Sequence, residues 1–581
     1  LAHGEWGVRG WRDPRGGALP PAEVTADGAA AVLRQHFPDG RNAEPYWLAV
    51  AAMQGEGLPF VMEEDDTALC PIRTLAHVPA ALTFYVATAT HAERDAAEAL
   101  ARDAAQRSVA DGWGSLERAH RADWRDYWME SAVELADRRI EKKWYHAGYQ
   151  LAINATPGAV TPGLMGVSLP YDCPPWRGDR HNNYPEVASV FWGSYVANHL
   201  DRALNYTEFM ERILPQGRQI AREVYECDGA AFGHVTFERT TKPYMDNLWA
   251  RTLYVTAAYA QNLWWHYRFT GDRAYLRRVY PILAECADFY RSLVAKNPPG
   301  DYTLWPTVPT EFRGFVTDFA LNKNMIEDLA LVKFLLVAVV EAGEIFGDPS
   351  AARWVDLRDH LPGYATIAVN GQTIFADVAG ATEMPAYNHS LGLAPFFPGE
   401  DPAVYGRWRD VATATLDAYP WGDTVRRAIA CARLGRVEEA VSAIIGEEKD
   451  VTYANFCSTA PEDDNNCTYA SFSSVIRPIA ELLLASHDGV IRVFPAWPRG
   501  KAARFRDLRA FGGFRLAAYT DGRAIGPIRL TSDAGNPATV QLPWEDGTVT
   551  TIFGDPVPSE KTDNRLTFAT ATDAVYLIAP A

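Results

Sequence analysis

The sequence predicts a mainly α fold, a six-hairpin (α/α) toroid barrel with flanking N-terminal and C-terminal β-domains. Three observations carry this. From about Ile140 to Ser486 apolar residues recur at helical spacing, and amphipathic stretches alternate with stretches apolar nearly all round, as two concentric helical layers require. The first ninety residues are rich in Gly and Pro and end in an alternating run from Ala81 to Thr88. After His487 short, alternating, β-branched segments return. A chain of 581 residues is long enough for two or three such domains.

In chain order, residues 1–90 read as a partial N-terminal β-domain and 91–138 as a helical linker, its second helix running through Trp124 and Trp128. Residues 139–487 form the barrel. There Trp249, Leu253, Ala257, Ala260, Trp264 and Tyr267 make one apolar stripe, and Gly271 ends that helix. The next helix spans 273–294, with Pro281 marking a break or restart. Residues 326–345 are expected to be buried on both sides, and further helices are expected at 198–224, 402–418, 424–434 and 475–486. Residues 488–581 read as a β-sandwich with strands at 490–494, 514–520, 539–542, 548–553 and 574–579. Asp-Gly pairs at 521–522 and 546–547 give hairpin signals.

The formal charge of −18 repels phosphate backbones and anionic lipid, so nucleic acid and membranes are not expected partners. Strongly acidic polysaccharides are disfavoured for the same reason. The longest apolar run, Leu329 to Ala342, is interrupted by Lys333 and Glu341 and falls short of the roughly 18 residues of a membrane span. The chain begins at Leu1 rather than Met, so an upstream segment is expected. Export to the periplasm or the medium is the expected destination, with the cytoplasm as the alternative. The seven cysteines contain no C-x-x-C pair and are expected as buried free thiols, with a Cys457–Cys467 loop closure as the alternative.

Four inter-helix segments concentrate polar and aromatic groups, and a rigid helical scaffold leaves its loops to carry chemistry. The segment 174–184, PPWRGDRHNNY, brings together Trp176, Asp179, Arg180, His181, Asn182 and Asn183, with Trp192 close behind. Asn and Asp bind sugar hydroxyls directionally, although the same loop also reads as turns that satisfy their own backbone. In 304–314, LWPTVPTEFRG, Glu311 lies between irregular backbone and an aromatic ring. That setting raises a carboxyl pKa towards a general acid's range, whereas pairing with Arg313 would make it an ordinary ion pair. The segment 241–249 offers Tyr244 and Asn247, although Asp246 or Asn247 reads by default as the cap of the helix that follows. The fourth region holds His389 in 386–390 and the acidic run 461–466, PEDDNN, whose Asp464 is a carboxylate able to stand opposite an acid. No metal or nucleotide motif is present, so neither a metal nor a cofactor is expected.

Several longer segments resemble glycoside hydrolase family 95, the α-L-fucosidase and α-L-galactosidase family. They are Asn154-Ala-Thr-Pro-Gly with Pro162-Gly-Leu and PPWRGDRHNNY, the stretch 264–290, IAELLLASHDGVIRVFPAWP at 479–498, and LRAFGGFRLAAYTDG at 508–522. Together they span roughly Trp124 to the end. The resemblance implies an inverting, exo-acting hydrolase of a terminal sugar on an oligosaccharide or polysaccharide. Glu311 matches the family's acid, and Asn183 matches the first Asn of a water-holding N-x-N. The second Asn falls on Pro185, leaving Asn182 in its place. The family's activating Asp falls in CTYASFSS, which has no acid, leaving Asp463 or Asp464 upstream. Trp176, Asp179, Arg180, His181, Tyr244, Asn247 and His389 would line the pocket. Alternatives are a polysaccharide lyase using Arg180, His181, Asn183 and Tyr184, a phosphorylase, or a non-catalytic carbohydrate-binding relative.

Overall fold

The computed structural model describes residues 20–38, 45–55, 59–62, 68–69, 83–163, 166, 182–183, 186–236, 248–308, 314–384, 391–419, 424–446, 451–452, 458–459 and 474–581. They divide into two compact units, one up to Met129 and one from Glu130 onward.

The first unit is an antiparallel four-stranded sheet in the order Glu23–Ala26, Ala30–Phe37, Tyr46–Gln54, Phe84–His91. Within the stretch expected as a linker, the helix Arg94–Asp111 lies on this sheet. It buries Ala97, Ala101 and Ala105, four residues apart, against Ala30, Val32, Ala49 and Ala51. Alanine on both faces lets the helix backbone approach the sheet closely.

The second unit is built on a closed cycle of buried elements. Among the described residues, Trp192–Val196 packs on Tyr254–Thr270, which packs on Ile326–Phe346, then the short turn Leu391–Leu393, then Thr424–Arg433, then Ile476–Leu483, which returns to Trp192–Val196. A second set of helices packs outside it. Leu200–Val224 lies against the first two members and Arg273–Val294 against the second and third. Val355–His360, Arg409–Ala418, Val437–Ile445 and Arg138–Asn154 continue the outer layer. Burial explains the two sequence textures: Tyr254–Thr270 and Ile326–Phe346 are buried nearly all round, whereas Arg273–Val294 buries one face.

The C-terminal strands form a six-stranded and a five-stranded sheet. The first has the order Gly547–Thr551, Ala574–Pro580, Ile528–Ser532, Phe514–Thr520, Ala503–Ala510, Ala132–Leu135. The second has the order Leu484–Ala485, Ile491–Val493, Ala538–Gln541, Arg565–Phe568, Ser559–Thr562. Their apolar faces belong to the same continuous core as the helices.

Four local expectations are corrected. The helix Arg273–Val294 runs unbroken through Pro281, because the buried face Val279, Ile282, Leu283 and Cys286 outweighs one lost backbone hydrogen bond. The stripe from Trp249 starts helical only at Tyr254, after a turn at Leu248–Arg251. Residues 402–418 divide into a turn, Pro402–Tyr405, and a helix, Arg409–Ala418. Asp546-Gly547 is no hairpin, since Ala538–Gln541 and Gly547–Thr551 lie in different sheets. Gly271, by contrast, caps its helix at φ +67°, the left-handed conformation glycine adopts at no steric cost. Cys227, Cys286 and Cys431 are buried free thiols; the other four cysteines lie outside the described residues.

Charge is buried inside the helical cycle. Arg433 donates to Glu481 at 2.8 and 3.2 Å and to Glu400 at 3.0 Å, and Arg477 donates to Glu481 at 2.8 Å. Trp265 Nε1 reaches Glu400 at 3.4 Å, and Arg433 and Arg477 both lie over the Phe397 ring. Burial pushes the Glu481 carboxyl up, but Arg433 and Arg477 outweigh it and hold it at about 2. Replacing Glu481 by Gln leaves Glu400 alone against two buried guanidiniums and is expected to cost about 3–5 kcal/mol at pH 7. The ordinary carboxyl value is 4.5 and the folded one is lower, so this contribution is complete above pH 4.5 and lost as pH falls towards 2. Urea titrations at pH 7 and pH 3 should show the Glu481→Gln deficit shrinking at the lower pH.

Candidate active site

The segment carrying Glu311 leaves the described chain at Val308 and re-enters at Gly314. Its neck is tied by one fully buried side chain, Asn322. Asn322 Nδ2 donates to the carbonyl oxygens of Thr307 at 2.9 Å and Gly314 at 3.1 Å. Its Oδ1 accepts from Val316 N at 2.8 Å, and its backbone oxygen accepts from Thr307 N at 2.9 Å. One residue thus closes both sides of the neck. Thr252 Oγ1 adds a hydrogen bond to the Val308 carbonyl at 3.0 Å.

Beneath the neck lies Asp328, in the first turn of Ile326–Phe346 and completely buried. Its Oδ1 accepts from Tyr254 N at 2.7 Å, at the start of the neighbouring buried helix, and the Thr307 hydroxyl also bonds to its carboxyl. Burial, with a smaller contribution from adjacent Glu327, raises the Asp328 carboxyl to about 8 against these two hydrogen bonds. Glu327 is itself paired with Arg426, near the start of Thr424–Arg433, both fully buried.

These bonds join the N-terminal ends of three buried helices, those beginning at Tyr254, Ile326 and Thr424. Each of the sequence-selected segments leads into such an element: 174–184 into Glu186–Val190, 241–249 into Tyr254–Thr270, 304–314 into Ile326–Phe346, 386–390 into Leu391–Leu393 and 461–466 into Ile476–Leu483. Helix N-termini carry partial positive charge, so a site here favours groups that develop negative charge.

Asn182 and Asn183 form a two-residue strand with Thr236 and Val235. Glu311, Asp464, Trp176, Asp179, Arg180, His181, Tyr244, Asn247 and His389 lie outside the described residues. Trp192 is corrected: it is a core residue, 2% exposed, packed edge-on against Trp265 and Phe397. Sequence reading did not select Asn322, Asp328 or Glu327. The available signal was the pair of adjacent carboxylates opening an otherwise apolar helix, which resembles ordinary N-terminal charge preference.

Two cavities lie away from these N-termini. One, of about 310 Å³, is lined by Tyr405, Arg433, Glu481, His487 and Arg492, at the C-terminal ends of Thr424–Arg433 and Ile476–Leu483. The other, of about 300 Å³, is lined by Glu130, Asn198, Asp201, Arg509, Arg515 and Asp533. Among the described residues no group of three or more His, Cys, Asp or Glu is arranged to hold a metal, and no helix is long and apolar enough to cross a membrane.

Residues 114–461, more than half of the chain, match the glycosyl hydrolase family 95 catalytic domain. The chain belongs to that family. The match contains Glu311, Asn182 and Asn183 and stops short of Asp464. The chain is also similar to kojibiose hydrolases of Flavobacterium johnsoniae, 25% identical over 212 residues, and Mucilaginibacter mallensis, 25% identical over 208 residues. These alignments cover 34% and 33% of this chain and 28% of either relative. A human-microbiome protein provisionally assigned as a kojibiose phosphorylase shares the fold, with a TM-score of 0.60 at 10% identity. That likeness covers 94% of this chain and 77% of the other.

Asp328 gives this family 95 domain a titration that works against stability. The unfolded carboxyl ionises near 3.8, while the folded one keeps its proton until about 8. The folded state therefore loses stability as pH rises through that window. Asp328→Asn keeps an acceptor for Tyr254 N and does not titrate. Its thermal midpoint relative to the wild type is expected to rise from pH 4 to pH 8, measured by calorimetry.

Proposed function

We propose that this chain is an exo-acting, inverting glycoside hydrolase that releases a terminal sugar from a disaccharide or longer oligosaccharide. The observation that carries the reading is the Glu311 neck. A buried Asn and a buried carboxyl hold the stem of the acid-bearing segment at the N-terminal ends of the helical cycle. The family assignment supports the chemistry. The closed cycle of buried elements inside a second helical layer supports a six-hairpin (α/α) toroid, with the barrel at 139–487. The remaining parts of this reading are the β-domain 1–90, the linker 91–138 and the C-terminal sandwich 488–581.

In this reading Glu311 protonates the departing oxygen, Asn182 and Asn183 hold the attacking water, and Asp464 lends it base strength. Trp176, Asp179, Arg180, His181, Tyr244, Asn247 and His389 line the sugar pocket. Kojibiose, two glucose units in α-1,2 linkage, is the first substrate to assign, because both curated relatives are named for it. A second reading, an α-L-fucoside or α-L-galactoside, rests on the motif matches at Glu311 and Asn183. Against it stand Pro185 at the second Asn position and the absence of an acid in 467–474.

Incubation with kojibiose, aryl α-L-fucoside and aryl α-L-galactoside, with and without phosphate, separates these readings. Hydrolysis independent of phosphate is expected, falling roughly 10²–10⁴-fold in Glu311→Gln, as loss of a general acid demands. Turnover only with phosphate would replace hydrolysis by phosphorolysis, and undiminished turnover in the variant would remove Glu311 from the mechanism. Asn322→Ala should lower kcat more than it raises KM, about tenfold or beyond, because a loosened neck misplaces the acid. Steady-state kinetics on the substrate so identified checks this.

A further inference from the structure

Three aromatic rings stand beside the Glu311 neck, and the described core uses none of them. Trp305 precedes the neck, and Phe315 and Phe319 follow it. Each is 40–42% exposed, and Leu248, 40% exposed, abuts Gly314 at the neck itself. The Trp305 and Phe319 centroids are 6.0 Å apart, and those of Phe315 and Phe319 are 5.6 Å apart. Exposed apolar side chains scattered singly need no explanation, but a contiguous patch marks a binding surface.

The ledge is also held in place. Trp305 Nε1 donates to Asn297 Oδ1 at 2.7 Å, which orients the indole by its edge. Asp318 and Phe319 both take left-handed backbone, at φ 56° and 52°, which a bulky residue adopts only where its surroundings impose it. The surroundings here are the neck: Phe319 N donates to Val316 O at 3.0 Å, and Phe319 O accepts from Asn322 N at 3.1 Å. The side chain that ties the Glu311 segment therefore belongs to the turn that presents Phe319.

We propose that Trp305, Phe315 and Phe319 form a sugar-binding subsite that takes a substrate ring beyond the first on the leaving-group side of the cleaved bond. This rests on the glycosidase reading above. The occupant follows from position and chemistry. The ledge flanks Val308 and Gly314, the described residues on either side of the segment that contains Glu311, and Leu248, which abuts Gly314, follows 237–247 in sequence. An aromatic face accepts the C–H face of a pyranose while the sugar hydroxyls remain in water. A ledge of this kind makes affinity grow with substrate length.

Calorimetry in the full-length Glu311→Gln chain tests it with two pairs of probes, kojibiose against kojitriose and 4-nitrophenyl α-L-fucoside against 2′-fucosyllactose. The longer member of one pair is expected to bind more tightly. Trp305→Ala and Phe315→Ala should each weaken it about tenfold while leaving the shorter member within about twofold. Trp305→Tyr should restore most of the loss, which separates stacking from a folding defect. Equal weakening of both members, no weakening, or no binding of any probe overturns the subsite. So does a wild-type dimer in sedimentation that dissociates in Trp305→Ala, which would make the ledge an interface between copies. Length-dependent binding by a chain that hydrolyses neither probe would keep the ledge and remove the hydrolase reading. Hydrolysis with unaltered variants would do the reverse.

Discussion

Two arginines and two glutamates sit where a cycle of buried helices closes, and the rest of the second unit depends on their pairing. Arg433 comes from one helix, Arg477 and Glu481 from the next, Glu400 from the segment after Leu391–Leu393, and the Trp265 indole from a fourth element. In a low-dielectric interior an unpaired charge is expensive, so these elements are stable together and costly apart. The aromatic faces of Trp265, Phe269 and Phe397 line the Arg477 guanidinium and exclude water from it. The cluster favours one arrangement of the cycle, because displacing any contributing element strands a charge.

The polar groups at the other end of the same helices do different work. Asp328, Glu327 and Arg426 join helix N-termini, and Asn322 ties the neck above them. One end of the helices carries a fully compensated charge cluster and the junction with the C-terminal sheets. The other carries a proton-retaining carboxyl and the stems of the loops selected for chemistry. Separating these tasks leaves the loops free to differ in sequence while their anchor points stay rigid.

Periodicity located the helices well where burial was extreme. Ile326–Phe346 is apolar nearly all round and its limits match the periodicity within one residue, and Gly271 marks a true cap. Pro281, Asp546-Gly547 and Trp192 were decided by packing. Pro281 sits inside a helix because its neighbours pack well enough to hold it there. Asp546-Gly547 joins two sheets rather than two strands of one. Trp192 has the composition of a sugar platform and the surroundings of a core residue, while Trp305, in the segment chosen for Glu311, is the exposed one.

By itself the sequence determined the helical stretch before His487, the change to β-structure after it and the family, and it singled out segments rich in polar and aromatic groups. Those are properties of local spacing and of short motifs. Only the tertiary structure decided which residues hold these segments in place. Arg433 and Glu481 are 48 positions apart, Glu327 and Arg426 are 99 apart, and the strand Ala132–Leu135 pairs with Ala503–Ala510. A buried charge or amide is defined by its partner, and no local pattern names a partner that far along the chain. Asn322 shows the same limit at shorter range. In sequence it is one Asn in a turn-like LNKN, and in space it bonds to Thr307 and Gly314, which flank the segment containing Glu311 in the chain.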